Sequence, residues 1–500
     1  MSDADEAETS GADEEVQFTL KAVINRHKTK VLFAEIDSQF ADALLSFLTM
    51  PLGKMVKLLN DHYRDEAPPI GSLTSLYSGL SNLDSRHFWT EGCKIMLLNP
   101  RSSLEYKCSR LKLDINDTRL EKYFCCEDPR CSRPRYSNIS MHRDVGVCAC
   151  GRSLNREIGV RNSCELADGD RDDGVFVVAN ESFLISDDLR LVPNVAGSVM
   201  GTLKNLGITD MDGAELRNVV FGFDEVIDLL KGSLLSRTPL SDMIILNRRK
   251  FYIARPKPER GIHEREFEGS SSIKKTILKV TVQKSTNKLL FAQSNNDFVD
   301  FLCSLLTFPL GGVEYHLCNN TPFKGIDNLY TSLADFIGDE YLANADIRKS
   351  LMKPSLPHGY MSENKILPLV GNTDPRLFYH KGLGMDEEWL SYSSRDSKCA
   401  RAIKYRNNGG YYINGRKMYM VSDDLTVTPL CMISIFSILK DMKITLSDVK
   451  EVEVPIGVDE GLSILKASLT STTALTDGLM LNPVLNKKPK QEPRGYFMHY

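Results

Sequence analysis

Five cysteines, Cys125, Cys126, Cys131, Cys148 and Cys150, fall within twenty-six residues, whereas the other seven of the chain's twelve are spread over the rest. Cys126 and Cys131 enclose four residues, and sixteen further on Cys148-x-Cys150-Gly151 follows. The arrangement resembles two metal-binding knuckles, with Gly151 permitting the tight backbone that aims amides at sulfur. Four thiolates suit tetrahedral zinc, and Cys126, Cys131, Cys148 and Cys150 are the expected ligands of a Zn2+ ion. Cys125 is the substitute first ligand and His142 a weaker one. Neither spacing is the commoner C-x2-C, and the plainer alternative is a group of small buried thiols. A closed four-ligand set holds structure rather than activating water, so the expected role is structural.

The same stretch is locally basic. Between Lys122 and Arg161 eight bases stand against four acids, with Tyr123, Phe124 and Tyr136 among them. Arginine on phosphates and rings on bases would let such a ribbon clamp nucleic acid, with Arg133, Arg135 and Arg143 as the candidate contacts. A solvated charged face is the favoured reading, because the body of the chain is nearly neutral.

Other groups point away from catalysis. The pairs Asp187-Asp188 and Asp423-Asp424 lie between β-prone runs, where aspartate bonds its own backbone in a turn. Asp224-Glu225 and Asp459-Glu460 precede amphipathic runs and read as charges at helix N-termini. No phosphate-binding glycine loop, G-x-S-x-G or H-E-x-x-H occurs, and the nine histidines are scattered.

The elements that must position these groups come in duplicate. Lys30 to Gly53 reappears as Lys288 to Gly311, identical at thirteen of twenty-four positions. Ser186 to Leu189 and Pro193 recur as Ser422 to Leu425 and Pro429, and a third block from Gly222 to Asp242 recurs as Gly457 to Asp477. The offset falls from 258 to 236 between the first two blocks, so the leading copy holds 22 more residues there, and that interval contains the cysteine cluster. So long a period predicts domains, each with its own core.

Each copy opens with a β-hairpin, Thr19–Asn25 with Lys30–Glu35 and Thr276–Gln283 with Lys288–Ala292. Next comes a helix with Phe40, Leu44, Phe47 and Leu48, or Phe298, Leu302, Leu305 and Leu306, at helical spacing. Asp37-Ser38 and Asn295-Asn296 supply caps, and Pro51 and Pro309 are expected to stop these helices. Second helices are expected over Leu73–Leu83 and Ile326–Phe336. The end of the copy reads as two strands, Val175–Ile185 and Leu189–Pro193, a helix over Ala196–Leu206, a strand over Asn218–Phe221 and a helix over Asp224–Leu235. The expected fold is therefore α+β, two tandem homologous modules with a hairpin–helix start and a ββαβα-like end, the first carrying a zinc-ribbon-like loop. The expected boundaries are a disordered acidic tail (1–16), a first module (17–247) with its Cys-rich loop (122–161), a linker (248–275), a second module (276–485) and a basic tail (486–500).

Composition sets the class. The 500 residues are 42% hydrophobic and 26% charged with a net charge of −4. Seven acids and no base among the first fifteen residues leave a near-neutral body without them, which gives no argument for an anionic surface. Neither a secretory leader nor an apolar run long enough to span a bilayer is recognised. The expectation is an intracellular protein of cytoplasm or nucleus with no membrane partner, whose cysteines are thiols or metal ligands.

Taken together, L-F-A then F-x-D-x-L-x-S-x-L-T-x-P-L-G, L-L-N-P-R-S-S at Leu97–Ser103, C-x-C-G-R at Cys148–Arg152 and the S-D-D-L and G-x-D-E blocks resemble one group. It is the plant family called domain of unknown function 674, and the likeness runs from about Gln17 to Pro483 in two-copy form. The resemblance implies a fold and a plant origin, and no activity, substrate or cofactor. The expected function is a non-catalytic interaction or regulatory protein with an unknown protein partner, its modules forming a pseudo-dimer within one chain. An enzyme with its site in the groove between modules is the rival, and nucleic-acid binding through the basic loop the third option.

Overall fold

The computed structural model describes residues 16–116, 122–129, 131, 137–140, 142–144, 146–148, 150–160, 174–195, 197, 199–246, 275–286, 288–357, 360, 366–367, 378–381, 388–391, 398–402, 412–414 and 417–479. The expected linker except Lys275, the acidic tail except Val16, and the basic tail lie outside these residues, as do Arg133 and Arg135.

The N-terminal half contains β1 (Phe18–Ile24), β2 (Val31–Asp37), α1 (Ser38–Ser46), α2 (Leu52–Tyr63), α3 (Leu73–Asn82), α4 (Glu91–Leu98), α5 (Glu105–Cys108), β3 (Lys122–Cys126), β4 (Ser137–Ile139), β5 (Leu154–Gly159), β6 (Ser182–Ser186), β7 (Leu191–Pro193), α6 (Val199–Asn205), β8 (Glu215–Phe221), α7 (Phe223–Leu235) and α8 (Pro239–Ile244). The C-terminal half contains β9 (Thr276–Gln283), β10 (Leu289–Ser294), α9 (Asn296–Leu305), α10 (Leu310–His316), α11 (Lys324–Thr331), α12 (Asp346–Met352), β11 (Phe378–Lys381), β12 (Glu388–Ser391), β13 (Lys398–Ala402), β14 (Tyr419–Ser422), β15 (Val427–Pro429), α13 (Met432–Asp441), β16 (Val449–Ile456), α14 (Val458–Thr470) and α15 (Ala474–Leu479). The class is α+β.

Two five-stranded antiparallel sheets run in the orders β7-β6-β2-β1-β8 and β15-β14-β10-β9-β16. Alternation along β1 puts Phe18, Leu20, Ala22 and Ile24 on the buried face. The Asp37 carboxylate accepts the Phe40 N–H at 2.7 Å and starts α1, while Asn295 accepts the Asp297 N–H at 3.1 Å and starts α9. Glu225 and Glu460 reach back to the N–H groups of Gly222 and Gly457, each at 2.9 Å, as the helix-start reading expects.

Two local expectations need correction. Pro51 and Pro309 do not end the first helices, since α1 closes in a short 3-10 turn over Phe47–Thr49. The prolines instead sit just before α2 and α10, where a residue with no N–H and a fixed φ costs a helix nothing. The run Val175–Ile185 is a strand only from Ser182. Its start is diverted because Asp42 accepts the N–H groups of Val175, Phe176 and Val177 at 2.8–2.9 Å, and an amide so engaged does not join the sheet ladder.

The halves meet through backbone. Leu52 N–H donates to Phe308 O at 2.8 Å and Leu310 N–H donates to Met50 O at 2.9 Å, bracketing the Pro51–Pro309 bridge. Val177 also bridges Leu342 and Phe88 bridges Ile413, so each half lends a short segment to the other. The expectation of a separate core for each copy fails here, because one continuous cluster of buried side chains runs from Phe18 to Leu479.

Candidate metal centre

β3 and β5 form a two-stranded antiparallel ribbon, and the register slips between Cys125 and Cys126. Adjacent side chains on a strand face opposite ways, and the slip carries Cys126 off the main core. Cys125 is therefore directed inward, its thiol donating to Arg156 O at 3.3 Å and its side chain buried in the central cluster. Cys126 faces a separate small cluster with Cys131, Cys148, Cys150, Phe124 and Leu154. The doublet is thereby resolved in favour of Cys126.

The second knuckle is a tight hairpin. Cys148 N–H donates to Arg152 O at 2.8 Å and Gly151 N–H to Cys148 O at 2.8 Å, with Gly151 at φ +93°, a conformation that glycine tolerates. The sulfurs accept amide protons two residues ahead: Asp128 N–H on Cys126, Cys150 N–H on Cys148 and Arg152 N–H on Cys150.

The Sγ atoms of Cys126, Cys131, Cys148 and Cys150 all lie within 4.8 Å of one another. Cys126 and Cys150 are 3.5 Å apart, and Cys131 and Cys148 are 3.7 Å apart. A disulfide needs about 2.05 Å, whereas a tetrahedral ion with metal–sulfur bonds of about 2.3 Å sets its sulfurs roughly 3.8 Å apart. The donor set thus fits a tetrahedral metal ion and has no vacant corner. Burial pushes the Cys126 and Cys148 thiols up, while the Arg152 N–H pulls Cys150 down to about 7. A cation is what lets several such thiols ionise together.

His142 is not a ligand. Its Nε2 lies 3.4 Å from the Tyr360 hydroxyl, and burial, helped by nearby Arg101, holds its pKa down to about 3, so the ring is neutral. The described bases of the loop are engaged at home. Arg143 pairs with Asp144 at 3.7 Å, Arg152 with Asp128 at 2.6 Å, and Arg156 donates to Cys126 O at 3.1 Å. Asp187 accepts from Ser241 N–H at 2.8 Å and Oγ at 2.7 Å, and Asp423 from Thr476 at 2.8 and 2.9 Å. Both aspartates tie a turn to a short helix, Asp187 to α8 and Asp423 to α15, which is a structural duty.

The loop is anchored by residues the sequence reading passed over. Arg101, inside the quoted L-L-N-P-R-S-S, pairs with Glu105, donates through Nη1 to Lys122 O at 3.2 Å, and lies over the Tyr123 ring. Its own N–H donates to the Tyr360 hydroxyl at 2.8 Å, across the two halves. The backbone of β4 pairs in parallel with β13, and Val160 bridges Leu390, so the cysteine-bearing loop is joined to the sheet of the C-terminal half. The spacing of Arg101 and Tyr360, 259 residues apart, offered no local signal.

Fold and site define an α+β protein with a closed four-thiol site able to hold a metal ion. The chain belongs to the family described as protein of unknown function (DUF674), whose model matches residues 14–459. No curated protein and no solved structure matches it. No helix among the described residues is long and apolar enough to cross a membrane.

Proposed function

We propose that this is an intracellular, non-catalytic interaction or regulatory protein of plant origin. Two tandem homologous modules associate as a pseudo-dimer, and a structural zinc ion fixes the loop that the first module extends onto the second. The observation that carries the reading is the convergence of four sulfurs, with no open coordination position, in a loop bonded to both halves. The equal strand orders of the two sheets and the reciprocal bonds at Leu52 and Leu310 support the pseudo-dimer. Metal analysis of purified protein tests the zinc, with a stoichiometric content expected and none after Cys148→Ser with Cys150→Ser. Reductant-treated protein without metal sinks this reading. Proximity labelling in plant cells then identifies the partner.

One observation favours the enzyme reading. His142 and Tyr360 come from different halves, and burial shifts both from their ordinary values beside the Arg101–Glu105 pair. Their bonds are used to anchor the loop, so the structural duty is preferred. A Tyr360→Phe variant that loses a measured turnover while keeping its metal and melting temperature would reverse that preference.

A further inference from the structure

Helix α13 is more apolar than its place in the fold requires. Its inner side packs Leu439, with Ile435 and Ile438, on Leu290, Phe291 and Met420 of the second sheet. Its outer side presents Met432, Ile433 and Phe436, which are 79%, 74% and 65% exposed. Leu446, 79% exposed, follows the helix, and Met418, 48% exposed, adjoins its start through the Leu430 N–H to Met418 O bond. The corresponding helix of the first half, α6, shows how much of this the sheet needs. Aligning Leu203-Lys204 with Leu439-Lys440 sets Met200 at the place of Phe436, but Ala196 and Gly197 at the places of Met432 and Ile433. The second copy therefore carries an added turn of large apolar side chains that stay mostly exposed.

Around this face stand exposed lysines. Lys417 precedes Met418, Lys440 lies one turn beyond Phe436, Lys443 follows the helix, and Lys284 reaches Ser447 O at 2.7 Å beside Leu446. None of the four has a carboxylate within 4 Å among the described residues. Asp441 is the helix's own acid, and the Asp448 carboxylate is taken by Gln283 and Ser285.

Side chains this exposed stand proud of the surface. A folded partner would have to offer a matching cavity, whereas the headgroup–acyl boundary of a bilayer receives protruding apolar groups without shape complementarity. Lys440 and Lys443 at the margin then meet lipid phosphate while their stems stay in apolar surroundings, and Lys284 and Lys417, which donate to Ser447 O at 2.7 Å and to Arg86 O at 3.3 Å, keep further N–H groups for it. We propose that α13 docks the protein on anionic phospholipid bilayers, inserting Met432, Ile433 and Phe436 and setting Lys417, Lys440, Lys443 and Lys284 against the headgroups. The near-neutral net charge masks this local pairing of apolar face and cationic rim. Contact through three inserted side chains is reversible and salt-sensitive.

The test is co-sedimentation of the full chain with phosphatidylcholine vesicles, with and without about one-third phosphatidylserine. Binding is expected to be about tenfold stronger with the anionic lipid at low salt. It should be lost in Ile433→Glu with Phe436→Glu, weakened in Lys440→Glu with Lys443→Glu, and kept in Met200→Glu on α6. Equal melting temperatures establish that the variants fold. No sedimentation of the wild type with anionic vesicles overturns the proposal, as does undiminished binding by the Ile433/Phe436 variant. Loss of self-association in that variant, with no vesicle binding by the wild type, would assign the face to a second copy instead. None of these outcomes bears on the metal content, so the two readings stand or fall separately.

Discussion

Pro51 and Pro309 face each other as an antiparallel bridge between the two halves, each just before a helix whose first amide bonds the other half. Proline has no N–H to leave unpaired at this crossing, so the bonding passes to Leu52 and Leu310. Close approach also demands the glycines beyond them. A Cβ on Gly311 would meet Leu351 O at 2.2 Å and Leu48 O at 3.1 Å, and one on Gly53 would meet Leu97 O at 2.8 Å.

Gly311→Ala is accordingly expected to destabilise the protein by about 1–3 kcal/mol, and Gly53→Ala by less. Chemical denaturation of the two variants checks the order. Equal stability of Gly311→Ala and the wild type would show that the joint has slack.

Burial raises the Asp300 carboxyl to about 7 even though it accepts the Tyr412 and Ile413 N–H groups at 2.6 and 3.1 Å. A folded pKa above the unfolded one means the contribution is complete below pH about 4 and is lost as pH rises through 7. Asp42 and Asp187, both raised to about 6, act in the same direction. Asp300→Asn keeps an oxygen for both amides, because both bond the same Oδ1, and removes the charge. Its stability is expected to exceed that of the wild type at pH 8, with the gap closing towards pH 4. Asp42→Asn should destabilise at both, because both Asp42 oxygens accept backbone N–H groups. Urea melts across that pH range decide it.

Cys125→Ser is expected to leave the metal content unchanged, since that thiol bonds Arg156 O away from the other four. Cys126→Ser should abolish metal binding and lower the melting temperature. Chelator treatment of the wild type should reproduce the Cys126→Ser melting curve. If Cys125→Ser instead loses the ion, the ligand assignment is wrong.

Tyr360→Phe removes the acceptor of the Arg101 N–H and the group facing His142. An unpaired buried donor costs about 1–3 kcal/mol. The loss should appear as faster amide exchange in β3 and β5 ahead of the sheets. Uniform acceleration over the whole chain would mean that Tyr360 is a core residue with no particular hold on the loop.

By itself the sequence determined the class, the hairpins, the capped helices and the cysteine cluster, because each is written in short-range signals. Residues two apart on a strand share a face, Asp37 and Asn295 bond amides within their own turn, and cysteines of one loop are close whatever surrounds them. Cys125 against Cys126 was undecidable at that level, since a one-residue slip in strand register reverses which thiol faces the site. Tertiary structure alone decided that slip, the union of the two halves in one core, the diversion of Val175–Val177 onto Asp42, and the Arg101–Tyr360 anchor. These depend on groups from roughly 30 to 260 residues apart coming together, and the chain pattern around each partner does not encode the other.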